Sequence, residues 1–194
     1  MKRKLISLLL IASVLLCLLP SCGKKSAEVV IEVADFGSVT VHIATDKAPE
    51  TAANFLKLVD EGFYDALTFH RILSGFMIQG GDPNKNGTGG SGKSIKGEFS
   101  LNGFNNSISH VRGVISMART SNSYDSATSQ FFICQQAATH LDGAYAAFGW
   151  VTEGMDVVDA IVEYIENNPS YLRDNDGGVY DDYQPVITSV KRVK

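Results

Sequence analysis

Residues 69–82 read FHRILSGFMIQGGD: two short β-rich runs, broken at Ser74-Gly75 and closed by Gly80-Gly81. Glycine-punctuated runs of this length fit strands joined by turns. One residue does not suit the setting. Arg71 lies inside an otherwise apolar strand, where an arginine taken alone more often pairs with a carboxylate than performs chemistry.

The pattern continues on both sides. Downstream, VISMA (114–118), QFFIC (130–134) and AAFGWV (146–151) are further short β-rich runs separated by Gly- and Asn-rich connections. Upstream, EVVIEVA (28–34) and SVTVHIA (38–44) alternate apolar and polar residues around Asp35-Phe36-Gly37, which predicts a hairpin. Two segments have helical period instead. In 47–64, Ala52, Phe55, Leu56 and Val59 share a face behind Pro49, and Gly62 is the expected stop. In 154–166, Met155, Val158, Val162 and Ile165 do the same. A polar loop (167–184) and a closing strand (185–193) complete the chain. Many short strands and only two helices predict a mainly β fold, a closed antiparallel barrel with helices over its ends.

The N-terminus is of another kind. Lys2, Arg3 and Lys4 precede LISLLLIASVLLCLL, an apolar run short for a membrane span, and Leu19-Pro20-Ser21-Cys22 follows. Residues 1–21 are expected to be a signal peptide, residues 22–27 a tether and residues 28–194 one domain. The Leu19–Cys22 stretch resembles a bacterial lipobox, which implies lipidation of Cys22 and a domain held at the extracytoplasmic side of the cell membrane; Pro20 departs from the usual residue there. Loss of the leader would take the net charge from −4 to −7, which argues against nucleic acid. Cys134 is then the one cysteine left in the domain and cannot form an internal disulfide. No CxxC or HExxH spacing is present, and Asp174-Asn175-Asp176-Gly177 lacks the spacing and closing Glu of a calcium loop, so no metal is expected.

Residues Gly87 to Ser94, GTGGSGKS, match the phosphate-cradling pattern G-x-x-x-x-G-K-[ST] letter by letter. The setting is wrong. A polar turn, GGDPNKN, precedes it where a buried strand is needed, and IKGEFSLNGFNN after it has no helical period. No nucleotide is expected.

Three blocks carry a more specific signal. FHR…GFMIQGGD (69–82), SQFFI (129–133) and LDG…FG (141–149) resemble, in order and approximate spacing, the signature of the cyclophilins, peptidyl-prolyl cis–trans isomerases. The resemblance runs from about residue 28 to the C-terminus, and GTGG…KSIKGE resembles a family loop carrying two extra residues, Ser91-Gly92. It implies an eight-stranded antiparallel barrel capped by two α-helices, an isomerase without cofactor, and a monomer acting on proline-containing polypeptides. By the same resemblance Arg71, Gln79 and Phe132 would be catalytic. Phe76, Met77, Ala118, Arg119, Thr120, Gln130, His140, Leu141 and Tyr145 would bind substrate. His140 and Tyr145 stand where the best-known eukaryotic members carry tryptophan and histidine, and the missing indole implies weak cyclosporin binding. A non-catalytic module or chaperone holding proline segments in the same groove is the alternative. The intact Arg71, Gln79 and Phe132 favour the enzyme.

Overall fold

The computed structural model describes residues 27–193. The expected leader, Cys17, Cys22 and the tether up to Ser26 lie outside the described residues. The strands are β1 (Ala27–Val33), β2 (Gly37–Ile43), β3 (Phe69–Leu73), β4 (Met77–Gly80), β5 (Val114–Met117), β6 (Phe131–Cys134), β7 (Ala147–Glu153) and β8 (Ile187–Arg192). Two helices, α1 (Pro49–Asp60) and α2 (Met155–Glu166), follow β2 and β7. Among the described residues, no helix is long and apolar enough to cross a membrane.

All pairings are antiparallel, in the order β3-β4-β6-β5-β7-β2-β1-β8. Alternation decides which face of each strand is buried where. Val29, Ile31, Val39, Val41, Ile78, Ile115 and Ile133 enter one core with Phe55 of α1 and Val158, Ile161 and Val162 of α2. Its centre is aromatic: the Phe55 ring lies 5.1, 5.7 and 5.0 Å from those of Tyr64, Phe131 and Phe148. Each ring buried completely contributes about 1.5–3 kcal/mol. β5 and β6 are buried at every residue, so their outward side chains are covered too. On that outer side Met77, Phe132, Cys134 and Ala138 form a second, smaller apolar cluster, separate from the core.

The expected closed barrel is corrected in one respect. The sheet curls, but no continuous ladder joins β3 to β8. On this side β8 and the two residues before it reach only the first residue of β3 and those preceding it, through an isolated bridge between Thr68 and Val186 and the bonds Phe69 N–H to Pro185 O (3.0 Å) and Ile187 N–H to Leu67 O (2.8 Å). The outer edge of β3 is taken by the 167–184 loop: Ile72 N–H donates to Gly177 O (2.8 Å) and Val179 N–H to His70 O (2.9 Å). An edge strand satisfied by a loop has no ladder groups left for a second strand.

Both helix ends of α1 are built from identifiable partners. Gly62, at φ +67°, donates to Val59 O and Phe63 N–H to Leu58 O (3.0 Å each), the left-handed stop expected at this glycine. The N-terminus has no local cap, since Ala48 occupies that position. Glu98, buried and 47 or 48 residues away in sequence, reaches in instead; its carboxylate accepts from Glu50 N–H (3.0 Å) and Thr51 N–H (2.8 Å). The negative charge also faces the positive end of the helix dipole. Glu98→Ala is expected to lower unfolding free energy by about 2 kcal/mol, as loss of a cap with two stranded donors implies. Urea titration checks it, and Glu98→Gln, which keeps an acceptor oxygen, should cost less.

Candidate active site

The second apolar cluster has an opening. A cavity of about 210 Å³ is lined by Phe76, Met77, Phe132, Leu141 and Tyr145, with Ala118 behind them and Arg71, Gln79 and Arg119 as its polar members. That is below the roughly 300–1,000 Å³ of sites for drug-sized ligands and suits one small ring. Strand register assembles it. Arg71 of β3 pairs with Gln79 of β4, and Gln79 with Phe132 of β6, which puts three expected site residues in one row across the outer face.

Arg71 does not do what an isolated strand arginine usually does. Among the described residues it forms no ion pair. Its Nη1 donates to Gln79 Oε1 (3.3 Å) and its Nε to the Asp176 carbonyl (2.8 Å). Both N–H groups of Nη2 remain uncommitted among the described residues. Gln79 in turn donates through Nε2 to Gln130 Oε1 (2.9 Å), and Gln130 Nε2 to the carbonyls of Gly87 (3.1 Å) and Gly89 (2.7 Å). A chain of hydrogen bonds therefore runs from the guanidinium to the 87–94 loop.

That loop is turned the wrong way for phosphate. Its glycine carbonyls face Gln130, and the N–H groups of Asn84, Asn86 and Gly87 are spent on the buried Asp82 carboxylate (2.8, 3.1 and 2.6 Å). After Ser94 comes an isolated bridge, Ile95 to Ala127, and no helix. The loop instead walls a second, polar cavity of about 450 Å³ beside the first, shared with Thr120, Gln130, Ala118 and Arg119. His140 is the one expected site residue lining neither cavity; it sits on the short turn Thr139–Leu141 with its ring 5.6 Å from Phe76.

Arg119, an expected substrate-binding residue, also supports the pocket, and two further supporting groups escape sequence reasoning. Arg119 lies over the rings of Tyr145 (4.6 Å), Tyr124 (5.1 Å) and Phe99 (5.5 Å), so it packs the pocket wall as a cation on aromatic faces. Asp176 acts through its backbone, which no side-chain pattern announces. Finally, Asp142 Oδ1, His110 Nδ1 (2.8 Å), His110 Nε2 and Ser116 Oγ (3.0 Å) form the chain of a nucleophilic triad. Ser116 and His110 are both 0% exposed, so no substrate reaches the hydroxyl. The His110 ring lies 6.0 Å from Phe132 and near-parallel to it, a brace behind the pocket floor. Cys134 lies in the same layer, its thiol pushed up to about 12 by burial, and is inert. Among the described residues no group of three His, Cys, Asp or Glu could hold a metal.

Comparisons with known proteins bear on this geometry. Residues 28–178 match the family described as cyclophilin type peptidyl-prolyl cis-trans isomerase. The chain is 43% identical over 122 residues to peptidyl-prolyl cis-trans isomerase B of Bacillus subtilis, covering 63% of this chain and 81% of that one. It is 42% identical over 127 residues to a peptidyl-prolyl cis-trans isomerase of Helicobacter pylori, covering 64% and 74%. A Cryptosporidium parvum cyclophilin solved in the presence of the dipeptide Ala-Pro superimposes with a TM-score of 0.72 at 26% identity, over 86% of this chain and 99% of that one.

His70, beside Arg71, is 2% exposed and neither ring nitrogen has a hydrogen-bond partner among the described residues. Burial pushes its pKa from 6.5 down to about 4, against the pull of Asp82. His110 is shifted the same way, chiefly by burial and against its Asp142 bond. A histidine held neutral binds its proton more readily in the unfolded chain, so stability is complete above about pH 6.5 and falls as pH drops towards 4. The His70 share is about 3 kcal/mol at 1.36 kcal/mol per unit. Thermal unfolding followed from pH 7.5 to 4 is expected to show this loss. His70→Gln should flatten the slope, leaving the contribution of His110 and, near pH 4, the onset of that from the aspartates whose pKa values are depressed by their hydrogen bonds.

Proposed function

The chain belongs to the cyclophilin-type peptidyl-prolyl cis-trans isomerases, and from that premise we propose how its own residues accelerate rotation about X–Pro bonds. The bond is held by amide resonance, with a barrier of roughly 18–20 kcal/mol. Uncatalysed exchange takes tens to hundreds of seconds. Nothing is broken or transferred, so the requirement is a grip on one side of the bond and stabilisation of the twisted state. The proline ring enters the cavity of Phe76, Met77, Phe132 and Leu141. When the amide twists, the proline nitrogen regains a lone pair, and Arg71 donates to it through Nη2.

The observation that carries this reading is Arg71 at the edge of an apolar pocket, bonded at Nε and Nη1 but, among the described residues, free at Nη2 and without a carboxylate. A charged hydrogen bond contributes about 1.5–3 kcal/mol. It accelerates the reaction because it forms only in the twisted state. Gln79, braced by Gln130, holds the guanidinium and has one N–H of Nε2 left for the substrate backbone; Ala118, Arg119, Thr120, Gln130 and Tyr145 border the path of the residues before proline. His140 adds a flat face beside Phe76. An imidazole in place of an indole donor there supports weak cyclosporin binding. The Ala-Pro dipeptide present with the Cryptosporidium relative supports a proline-containing occupant. One chain suffices for this scheme, in keeping with a monomer.

We further propose that the substrates are exported polypeptides and that Cys22 carries the lipid that holds the domain at the outer side of the cell membrane. The support is the Lys2-Arg3-Lys4 charge, the apolar run and the Leu19–Cys22 stretch. Mass spectrometry of the purified chain is expected to find Cys22 as first residue, bearing acyl groups; an intact leader with an unmodified Cys22 would overturn this.

For catalysis the test is kinetic, with the full-length chain in detergent and an Ala-Pro tetrapeptide. Arg71→Ala is expected to lower kcat/KM about 10- to 100-fold, the equivalent of the lost hydrogen bond, at unchanged melting temperature. A wild-type chain no faster than buffer would leave a proline-holding module.

A further inference from the structure

The 167–184 loop meets Arg71 at its backbone, through an isolated bridge with Gly178, and at its side chain, through the bond from Nε to the Asp176 carbonyl. We propose that Asp174 is a positioning residue for isomerisation: its carboxylate folds the turn that brings the Asp176 carbonyl onto Arg71 and so aims the guanidinium at the pocket. The inference rests on the reading of Arg71 as the donor to the twisted amide.

A guanidinium is planar and rigid, so fixing Nε and one terminal nitrogen fixes the direction of the other. Gln79 supplies one restraint at 3.3 Å and Asp176 O the other at 2.8 Å; the loop bond is the shorter. Without it, the guanidinium would be held at Nη1 alone, by Gln79 and a longer contact to Met77 Sδ (4.0 Å), and could swing about that end.

The acceptor is a backbone atom, and its place depends on Asp174. Oδ1 of Asp174 accepts from Asp176 N–H (3.1 Å) and Gly178 N–H (2.9 Å), bracketing the peptide units on either side of Gly177. Arg173 Nε donates to Oδ2 (3.2 Å). The far side of the turn is sewn to β3, the strand that carries Arg71, by Ile72 N–H to Gly177 O and Val179 N–H to His70 O. Gly177 has φ +83°, and a Cβ there would stand 2.6 Å from Ile72 O, so the turn fits this closely only with glycine. Asp174 lines neither cavity of the site. Its side chain is 42% exposed and its ion pair with Arg173 is a surface one, so its removal should disturb the turn far more than the fold.

The test compares Asp174→Ala and Asp174→Asn in the wild-type and Arg71→Ala backgrounds of the full-length chain, measuring kcat and KM separately by exchange NMR on the Ala-Pro tetrapeptide. Asp174→Ala is expected to lower kcat about 10-fold with KM and melting temperature unchanged, within the range that a 1 Å misplacement costs. Asp174→Asn retains the Oδ1 acceptor and should restore most of the rate. In the Arg71→Ala background, Asp174→Ala should cost nothing more. Equal slowing in both backgrounds, an Asn variant as poor as the Ala one, or a melting temperature that falls with the rate would overturn the proposal. If Arg71→Ala itself keeps the wild-type rate, the donor reading fails and this inference with it; an Arg71-dependent enzyme indifferent to Asp174→Ala sinks the positioning role alone.

Discussion

Burial on both faces is the constraint from which the rest of this molecule follows. β5 and β6 have no exposed residue, and β4 has only Gln79 half-exposed. Their inward side chains fill the helix-capped core. Their outward side chains, Met77, Phe132 and Cys134, pack in a cluster outside that of α1 and α2 and are covered by the largely irregular segment that carries Ala138, Leu141 and Tyr145. A loop cannot cover a sheet face as completely as a helix, because its own peptide groups must find partners. The uncovered remainder is the pocket. The site is thus an incompletely covered patch of strand surface, which explains why its walls are apolar and its polar groups sit at the edge.

Those edge groups are linked into one frame. From Asp176 through Arg71, Gln79 and Gln130 to the carbonyls of Gly87 and Gly89, each donor has an acceptor on the next element. Two loops that look unrelated in sequence, 87–94 and 167–184, end up at opposite ends of the same chain of bonds. Asp82 and Asp174 do comparable work there: each turns its carboxylate inward on the backbone N–H groups of its own loop. An acidic residue used this way is a local fastener, and its charge says little about the ligand.

Much of this is legible in the amino-acid sequence, for reasons that differ by element. The hairpin 28–44 and the faces of α1 and α2 are periodic, and period is what sequence carries best. The rejection of a phosphate cradle at 87–94 rests on context, and the loop does lack a helix and point its carbonyls inward. The pocket residues Phe76, Met77 and Phe132 are not legible from period, which would assign them to the core; only the order of the three blocks sets them apart. The closed barrel is a misreading because alternation says nothing about which strand takes an edge, and here 177–179 takes the edge of β3. Glu98 as the cap of α1 and Asp176 as a restraint on Arg71 are invisible in sequence, the first because it acts across 47 residues and the second because it acts through a carbonyl.

The small volume of the pocket has a further consequence. In the proposed scheme this cavity of about 210 Å³ admits a ring and leaves everything else of a client outside. No stretch of polypeptide has to be threaded, and no fold has to be opened, for a surface loop with a proline to be served. Nor can such a grip favour one isomer at equilibrium, since a lowered barrier is lowered from both sides. The direction of each turn is left to the client, whose own packing decides which isomer it keeps.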